Sequence, residues 1–295
     1  MNRQNEDALS ANDRYRRVIE NIDHLPSLPS IIARLLKVVN SPDTSAEDAA
    51  ELIEKDPALT SKMIRLANSA FYGIPRSISS VSSAVVILGF NTIRSLVLSA
   101  SVMKLFTSTK HAFDKDRFWK HSIVTAMAAK AIVRHFMSVK MMDPESAFCA
   151  GILHDIGKLI FNEYAHEDYK AACELARSGN MSLLDAENQA LGTNHAAIGK
   201  ILADKWALPL DLEYSLVYHH DPSQTDQILD LVATVHCADQ LAHKAGAGLW
   251  ENEQVNPEWS ECRDILKIND SDHARIYESL SESVEKANEF LSIIR

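Results

Sequence analysis

The chain has 295 residues, of which 46% are hydrophobic and 24% are charged, a balance that excludes disorder on a large scale. A formal net charge of -10 argues against broad binding to nucleic acid, whose phosphates need clusters of lysine and arginine. No apolar run is long enough to cross a bilayer, and the first residues lack the apolar core of a signal peptide. We therefore expect a cytoplasmic protein without a membrane partner.

The first half of the chain predicts a polar tail over 1–24 and then about five short helices over 25–107. Asp56 followed by a proline is typical of a helix start, because the carboxylate can accept from the free N–H groups of the first turn. Gly89 is expected to end one helix, and Asn91 is expected to cap the next. Only nine glycines and nine prolines interrupt the whole chain, which favours an all-α fold.

The second half continues in the same helical pattern over 108–245, followed by a loop and a final amphipathic helix over 246–295. Asp116 is expected to cap the first of these helices. A helix predicted from 144 to 161 is apolar nearly all round, which indicates burial. The other predicted helices lie at about 167–177, 182–191, 195–206, 209–218, 228–245 and 270–295.

The predicted buried helix carries the sharpest chemical signal, the sequence Gly-Ile-Leu-His-Asp-Ile-Gly-Lys-Leu at 151–159. A carboxylate such as Asp155 is costly to bury among apolar side chains without a partner. A divalent cation would supply the missing charge and also bind a ring nitrogen of His154. Lys158 follows one turn later, where it could contact a phosphate oxygen. The alternative that needs no metal is a buried ion pair between Asp155 and Lys158.

Five more polar side chains lie on apolar faces or at the ends of predicted helices in the second half. Most have an ordinary explanation one at a time, because histidines often pack in cores or lie at helix C-termini. Asp239 on an apolar face is harder to explain without a cation. Two metal ions sharing Asp155 explain the whole set with one assumption. The candidate metal ligands are His121, His154, Asp155, His195, His219, His220 and Asp239.

The order of these residues resembles the ligand order of HD-superfamily metal-dependent phosphohydrolases, and in particular the dinuclear arrangement of HD-GYP-type proteins. The resemblance implies two metal ions that share Asp155, with Lys158 matching the lysine that follows the HD pair. Asp155 and Lys158 are then the implied catalytic residues. One metal would be held by His121, His154, Asp155 and Asp239. The second would be held by Asp155, His195, His219 and His220.

The first half resembles the HDOD domain, a relative of the same superfamily. The implied architecture is an N-terminal helical bundle over 25–107 packed on an HD-type metal-binding bundle over 108–245. Many HDOD domains have lost the metal ligands, whereas this sequence retains all seven. The stretches that carry the resemblance are Leu25 to Pro29, Asp56 to Thr60, Arg65 to Ala70, and Ala84 through Gly89 with Arg94.

Two departures from the family patterns narrow the implied chemistry. After the two consecutive histidines the chain reads Asp-Pro-Ser-Gln at 221–224, without the glycine-tyrosine-proline signature of HD-GYP proteins. Hydrolysis of cyclic-di-GMP is therefore not expected. Arg117 stands where some trinuclear relatives have a carboxylate, so a third metal is not expected either.

The sequence leaves three functions open. A signalling role is preferred, in which an HDOD protein with an intact dinuclear site transmits a state to a protein partner. The close alternative is a metal-dependent phosphohydrolase acting on a phosphate ester or nucleotide, and the third is a metal-free helical scaffold. Iron, manganese or nickel suits a set of histidines and carboxylates better than zinc in this prediction. A phosphate-containing ligand is expected, and the oligomeric state is left open.

Overall fold

The fold is all helical over the part of the chain that the computed structural model describes, which contains no β-strand. The all-α prediction is confirmed. The described residues are 20, 25, 27–28, 30–39, 45–106, 110–135, 142–179, 181–254 and 264–294. The polar tail predicted over 1–24 lies almost entirely outside them. No helix among the described residues is long and apolar enough to cross a membrane.

Five helices can be bounded among the described residues of the first half, and local chemistry sets where several of them begin. Ser45 and Asp48 cap each other's backbone N–H groups, and Asp56 accepts from the N–H groups of Ala58 and Leu59. The helices are α1 (Ser30–Val39), α2 (Ala46–Glu54), α3 (Pro57–Ala67), α4 (Val81–Leu88) and α5 (Phe90–Leu105).

The cap predicted at Asn91 is wrong. Helix α5 begins directly after Gly89, and no side chain caps it. Gly89 has a φ of 85°, a left-handed conformation that glycine adopts without steric cost and that lets α4 end and α5 begin within one residue.

The second half continues with further helices and one short 3₁₀ turn. The cap predicted at Asp116 is also wrong, because Asp114 accepts from the N–H groups of Asp116 and Arg117 and the helix begins at Lys115, two residues earlier than that cap implies. The elements are α6 (Lys115–His135), α7 (Pro144–Leu153), α8 (Ile156–Tyr164), α9 (His166–Gly179), α10 (Leu183–Leu191), α11 (His195–Trp206), α12 (Leu210–Tyr218), the 3₁₀ turn (Pro222–Gln224), α13 (Leu229–Lys244) and α14 (Asp270–Ile294).

The single helix predicted from 144 to 161 is broken at the His-Asp pair. Helix α7 ends at Leu153, α8 begins at Ile156, and Asp155 has non-helical angles of φ -99° and ψ 9°. Consecutive residues of an unbroken helix point about 100° apart. With the helix interrupted at Asp155, both side chains are buried and lie close together, with Nε2 of His154 3.3 Å from Oδ2 of Asp155.

Glycines allow the helices around this space to approach closely. A Cβ on Gly151 of α7 would lie 2.6 Å from the Cα of Ala126 in α6. A Cβ on Gly157 of α8 would lie 1.9 Å from the carbonyl oxygen of His195, the first residue of α11. Any larger residue at either position would push neighbouring backbones apart, so both glycines set the distances between helices at the site.

The C-terminal helix α14 joins the two halves. It packs on α3 in the first half and on α6 in the second half. The ring of Phe290 lies 5.3 Å from Phe71 in the loop after α3 and 6.1 Å from Phe148 in α7, measured between centroids. The N-terminal half therefore contacts, through aromatic rings, the helix that leads to His154. The division into units at 24, 107 and 245 stays a prediction.

Candidate metal centre

The structure brings together all seven residues predicted as metal ligands, from five different parts of the second half. His121 comes from the middle of α6, and the pair His154 and Asp155 from the turn between α7 and α8. The remaining ligands come from the start of α11, the end of α12 and the middle of α13. Their ligand atoms form two groups, and within each group they lie within 4.8 Å of one another. The groups are His121, His154 and Asp239, and Asp155, His195, His219 and His220.

The carboxylate of Asp155 lies between the two groups and turns one oxygen towards each. Its Oδ2 lies 3.3 Å from Nε2 of His154 and 3.5 Å from Nε2 of His121. Its Oδ1 lies 3.2 Å from Nε2 of His195 and 3.6 Å from Nε2 of His219. A carboxylate in this position can bind two cations at once, one through each oxygen.

Each group also has its own internal contacts. In the first group, Oδ1 of Asp239 lies 3.0 Å from Nε2 of His121 and 3.6 Å from Nε2 of His154. In the second group, the Nε2 atoms of His195 and His220 are 2.7 Å apart. In both groups the ring nitrogens face one another across distances that a shared cation can bridge.

Three of these ligand atoms are buried without a hydrogen-bond partner among the described residues. They are Oδ1 of Asp155, Oδ1 of Asp239 and Nε2 of His219. A buried polar atom that makes no hydrogen bond costs free energy, and a buried charge costs more. Imidazole nitrogens and carboxylate oxygens are common ligands of first-row divalent metals. The residues present therefore fit a pair of divalent cations.

Opposite charges lie close together around Asp155 and His154. Burial alone would raise the pKa of Asp155, but His154 and Lys158 outweigh it and hold that pKa well below its usual range. Burial alone would lower the pKa of His154, but the Asp155 carboxylate outweighs it and raises that pKa to about 10. The first group therefore attracts positive charge.

Two histidines of the second group, His219 and His220, have the opposite tendency. Burial lowers the pKa of His219 to about 4, and burial together with the neighbouring His219 and His195 lowers the pKa of His220 well below its usual range. Both rings are therefore neutral near pH 7, the form of imidazole that binds metals.

Backbone carbonyls hold two of the histidines in place. Nδ1 of His154 lies 2.8 Å from the carbonyl oxygen of Gly151, and Nδ1 of His219 lies 3.0 Å from that of Ser215. When a neutral imidazole donates Nδ1–H to a carbonyl, as in the metal-bound form of a histidine, Nε2 has the lone pair that binds the metal. The helices thus aim the Nε2 atoms of both rings into the cluster.

Glu187 of α10 is a site residue that the sequence analysis missed. Its Oε2 lies 2.6 Å from Nδ1 of His195 and accepts the backbone N–H of the same residue at 2.9 Å. Tyr169 donates its hydroxyl to Oε1 at 3.0 Å. Glu187 is fully buried and lies four residues from the apolar Leu183 and Leu191. A carboxylate on an apolar helix face is the same signal that identified Asp239, and it could have identified Glu187 from the sequence.

His243 and Glu253 are two further missed residues, on the other side of Asp239. Nε2 of His243 lies 3.4 Å from Oδ1 of Asp239, and its ring centroid lies 4.6 Å from that of His121. Oε2 of Glu253 lies 3.5 Å from Nδ1 of His243. His243 was detectable as the residue one helical turn after Asp239, whereas Glu253 lies in a loop and had no such signal.

Comparison with known proteins places the chain in a family. Residues 25–222, more than half of the chain, match the family model of the HDOD domain. The protein belongs to the HDOD family. The match extends through the first half and through six of the seven candidate ligands, and Asp239 lies beyond it.

Two solved structures share the fold of this HDOD protein over nearly its full length. An HDOD domain protein of unknown function from Geobacter sulfurreducens superposes with a TM-score of 0.78 at 26% identity, covering 96% of this chain and 98% of its own. A protein from Shewanella amazonensis SB2B, named as a candidate phosphohydrolase, superposes with a TM-score of 0.74 at 26% identity, covering 95% of this chain and 98% of its own.

One curated relative is much longer than this chain. An uncharacterized protein of Treponema pallidum (strain Nichols) is 25% identical over 225 residues, which is 75% of this chain. The match covers only 43% of that relative, so this chain corresponds to less than half of its length.

A cavity in the HDOD protein leads from the surface to the cluster. Four candidate site residues line it: Lys158, His195, His220 and Asp239. Nζ of Lys158 is 2.6 Å from Oδ2 of Asp155, on the side of the carboxylate that faces the first group. The cavity is also lined by the exposed Gln254. A small ligand can therefore reach the cluster from solvent.

Replacing Glu187 by glutamine is expected to weaken metal binding at the second group without unfolding the protein. Burial alone would lower the pKa of His195, and the Glu187 carboxylate raises it, so this carboxylate makes the ring a stronger ligand. Loss of such an outer partner weakens metal affinity by roughly 10- to 100-fold. Metal titration by isothermal calorimetry measures the change. The exposed Glu174→Gln in α9 is the control, and equal affinities in the two variants would contradict the assigned role.

Proposed function

We propose that this HDOD protein binds two divalent cations at the cluster and is a metal-dependent phosphohydrolase. One observation carries the proposal: the two oxygens of the buried Asp155 face two separate groups of imidazoles. Without metal, a buried Asp155 that made two ion pairs would need a positively charged side chain beside each of its oxygens. Lys158 supplies one for Oδ2, whereas Oδ1 is buried without a hydrogen-bond partner among the described residues and lies 3.6 Å from the neutral ring of His219.

The residues of the cluster have distinct roles in this proposal. The first cation would be held by His121, His154, Asp155 and Asp239, and the second by Asp155, His195, His219 and His220. When bound, such a pair supplies Lewis acidity towards phosphoryl oxygens and activates water. The ammonium group of Lys158, next to Asp155 and facing the cavity, would stabilise negative charge that develops on a phosphoryl oxygen.

The cavity favours turnover over a purely structural metal site. Structural sites are closed by protein ligands, while catalytic sites keep a position open to substrate. Here His220 is half-buried and the cavity reaches His195 and Asp239 from solvent. The name of the Shewanella amazonensis SB2B structure, a candidate phosphohydrolase, agrees with this proposal but applies to that protein. The donor set suits iron, manganese or nickel at least as well as zinc.

Signalling remains the second candidate because a specific contact favours it. Phe71 of the first half packs on Phe148 of α7 at 5.8 Å, and α7 ends at His154. A change in the cluster that shifted α7 would therefore reach the surface of the N-terminal half, where a protein partner could bind. In this version the metal site is a sensor and no product is released.

Metal analysis and turnover separate these functions. After growth with added manganese or iron, the purified protein is expected to contain two metal ions and to hydrolyse at least one member of a panel of phosphate monoesters, diesters and nucleotides. His154→Ala is expected to lose both properties, because its Nε2 faces both Asp155 and Asp239.

The exposed His135→Ala, at the end of α6, controls for loss of a histidine and should leave both properties unchanged. Wild-type protein with two metals and no turnover on the panel would favour signalling. Wild-type protein without metal after metal-replete growth would refute the metal centre.

A further inference from the structure

The loop 247–254, which follows α13, is fixed in position next to the cluster. Arg117 of α6 donates Nε–H to the carbonyl oxygen of Gly248 at 3.1 Å. Glu253 accepts the N–H of Leu249 at 2.7 Å and also lies against His243. Leu249 is buried. These contacts hold the loop in a defined shape beside Asp239.

This loop presents Trp250 next to the exposed side chain of Arg177, near the C-terminal end of α9. The guanidinium carbon lies 4.8 Å from the centroid of the indole ring, a cation–π contact. Trp250 is half-buried, so part of the stacked pair faces solvent. Indole and guanidinium planes are surfaces on which proteins commonly stack flat heteroaromatic rings such as nucleobases.

A groove beside the stacked pair adjoins the cavity at the cluster. Gln254 lines this groove and also lines the cavity that contains Lys158 and Asp239. The carboxylate of Glu251 and the amides of Asn252 and Gln254 offer hydrogen-bond acceptors and donors beside the stacked pair, as the edge of a nucleobase requires. The groove is lined by Ala176, Arg177, Trp250, Glu251, Asn252 and Gln254.

We propose that the phosphate ligand of this protein is a nucleotide whose base binds on the pair of Arg177 and Trp250. Its phosphate would lie at the cluster beside Lys158, and this phosphate end rests on the proposed function. A sugar phosphate has no flat ring for the groove. A nucleic acid strand is disfavoured by the net charge of -10.

Binding measurements on the full chain test the base and the phosphate separately. Dissociation constants are measured for AMP, GMP, CMP and UMP and for ribose 5-phosphate, each with Mn²⁺ and again with EDTA. With Mn²⁺, at least one nucleotide is expected to bind on the order of tenfold or more tightly than ribose 5-phosphate, as aromatic stacking of a base does elsewhere. In Trp250→Ala the nucleotide should bind no more tightly than ribose 5-phosphate, and Trp250→Phe should restore part of the difference.

A second aromatic–cation pair away from the groove provides the control. Tyr277 is 37% exposed, and Nζ of Lys244 lies 5.0 Å from its ring centroid. Tyr277→Ala should leave the ratio of nucleotide to ribose 5-phosphate affinity unchanged. Equal wild-type affinities, absence of any nucleotide binding, or a ratio that survives in Trp250→Ala would each overturn the proposal.

The EDTA series separates this proposal from the proposed function. If cations hold the phosphate, EDTA weakens the binding of nucleotides and of ribose 5-phosphate by the same factor, and the ratio of their dissociation constants stays the same. If EDTA changes neither affinity, the metal-dependent function fails. In that case the ratio, and its loss in Trp250→Ala, still decides whether the groove binds a base.

Discussion

Asp155→Asn is expected to remove both metal ions, because the two groups share this one carboxylate. Each of its oxygens faces the imidazoles of a different group, and an amide cannot supply the negative charge that either cation needs. Saturating metal stabilises a folded protein by about 2.7 kcal/mol at a hundred times the dissociation constant. The wild-type melting temperature should therefore fall by several degrees with EDTA, and that of Asp155→Asn should not respond.

The chelator response also tests the metal-free alternative, a buried ion pair between Asp155 and Lys158. Their 2.6 Å contact is present in the structure, so the variant alone would be destabilised under either interpretation. Only a metal centre makes the wild type sensitive to EDTA. The exposed Asp204→Asn, which removes a surface ion pair with Lys200, should respond to EDTA as the wild type does. Identical wild-type melting curves with and without EDTA would support the ion pair.

Gly157→Ala is expected to give the largest loss of stability of any single methyl addition near the site. The new Cβ would lie 1.9 Å from the carbonyl oxygen of His195 and 2.7 Å from its carbonyl carbon. Both are backbone atoms, so α8 and α11 must move apart and His195 must leave its position. Overpacking of this kind costs about 3 kcal/mol or more. Urea unfolding measures the loss, and metal titration should show weaker binding at the second group.

Gly199→Ala is the matched control, because it adds the same methyl group to the helix that begins with His195. Its Cβ would be 3.4 Å from side-chain atoms of Leu216, an ordinary contact, and alanine favours a helix interior over glycine by roughly 1 kcal/mol. Its stability should equal or exceed that of the wild type. A Gly157→Ala protein as stable as Gly199→Ala would show that α8 and α11 are not in close backbone contact.

Local chemistry explains why most helices were predictable. Caps such as Asp56 act on N–H groups two and three residues away, and apolar faces repeat every three to four residues. The same short-range rules gave wrong caps at Asn91 and Asp116. Gly89 occupies the cap position instead of Asn91, and Asp114 accepts the N–H groups instead of Asp116. Such errors of one or two residues leave the helix order unchanged.

The sequence by itself determined the helical fold and the seven candidate ligands, because a polar group on an apolar helix face implies burial and hence a partner. Only the tertiary structure decided how those residues meet. The break at Asp155, the approach of Gly157 to His195 and the placement of Glu187 depend on packing between separate helices. No pattern within one helix encodes such distances, because they arise when helices far apart in the chain pack against each other.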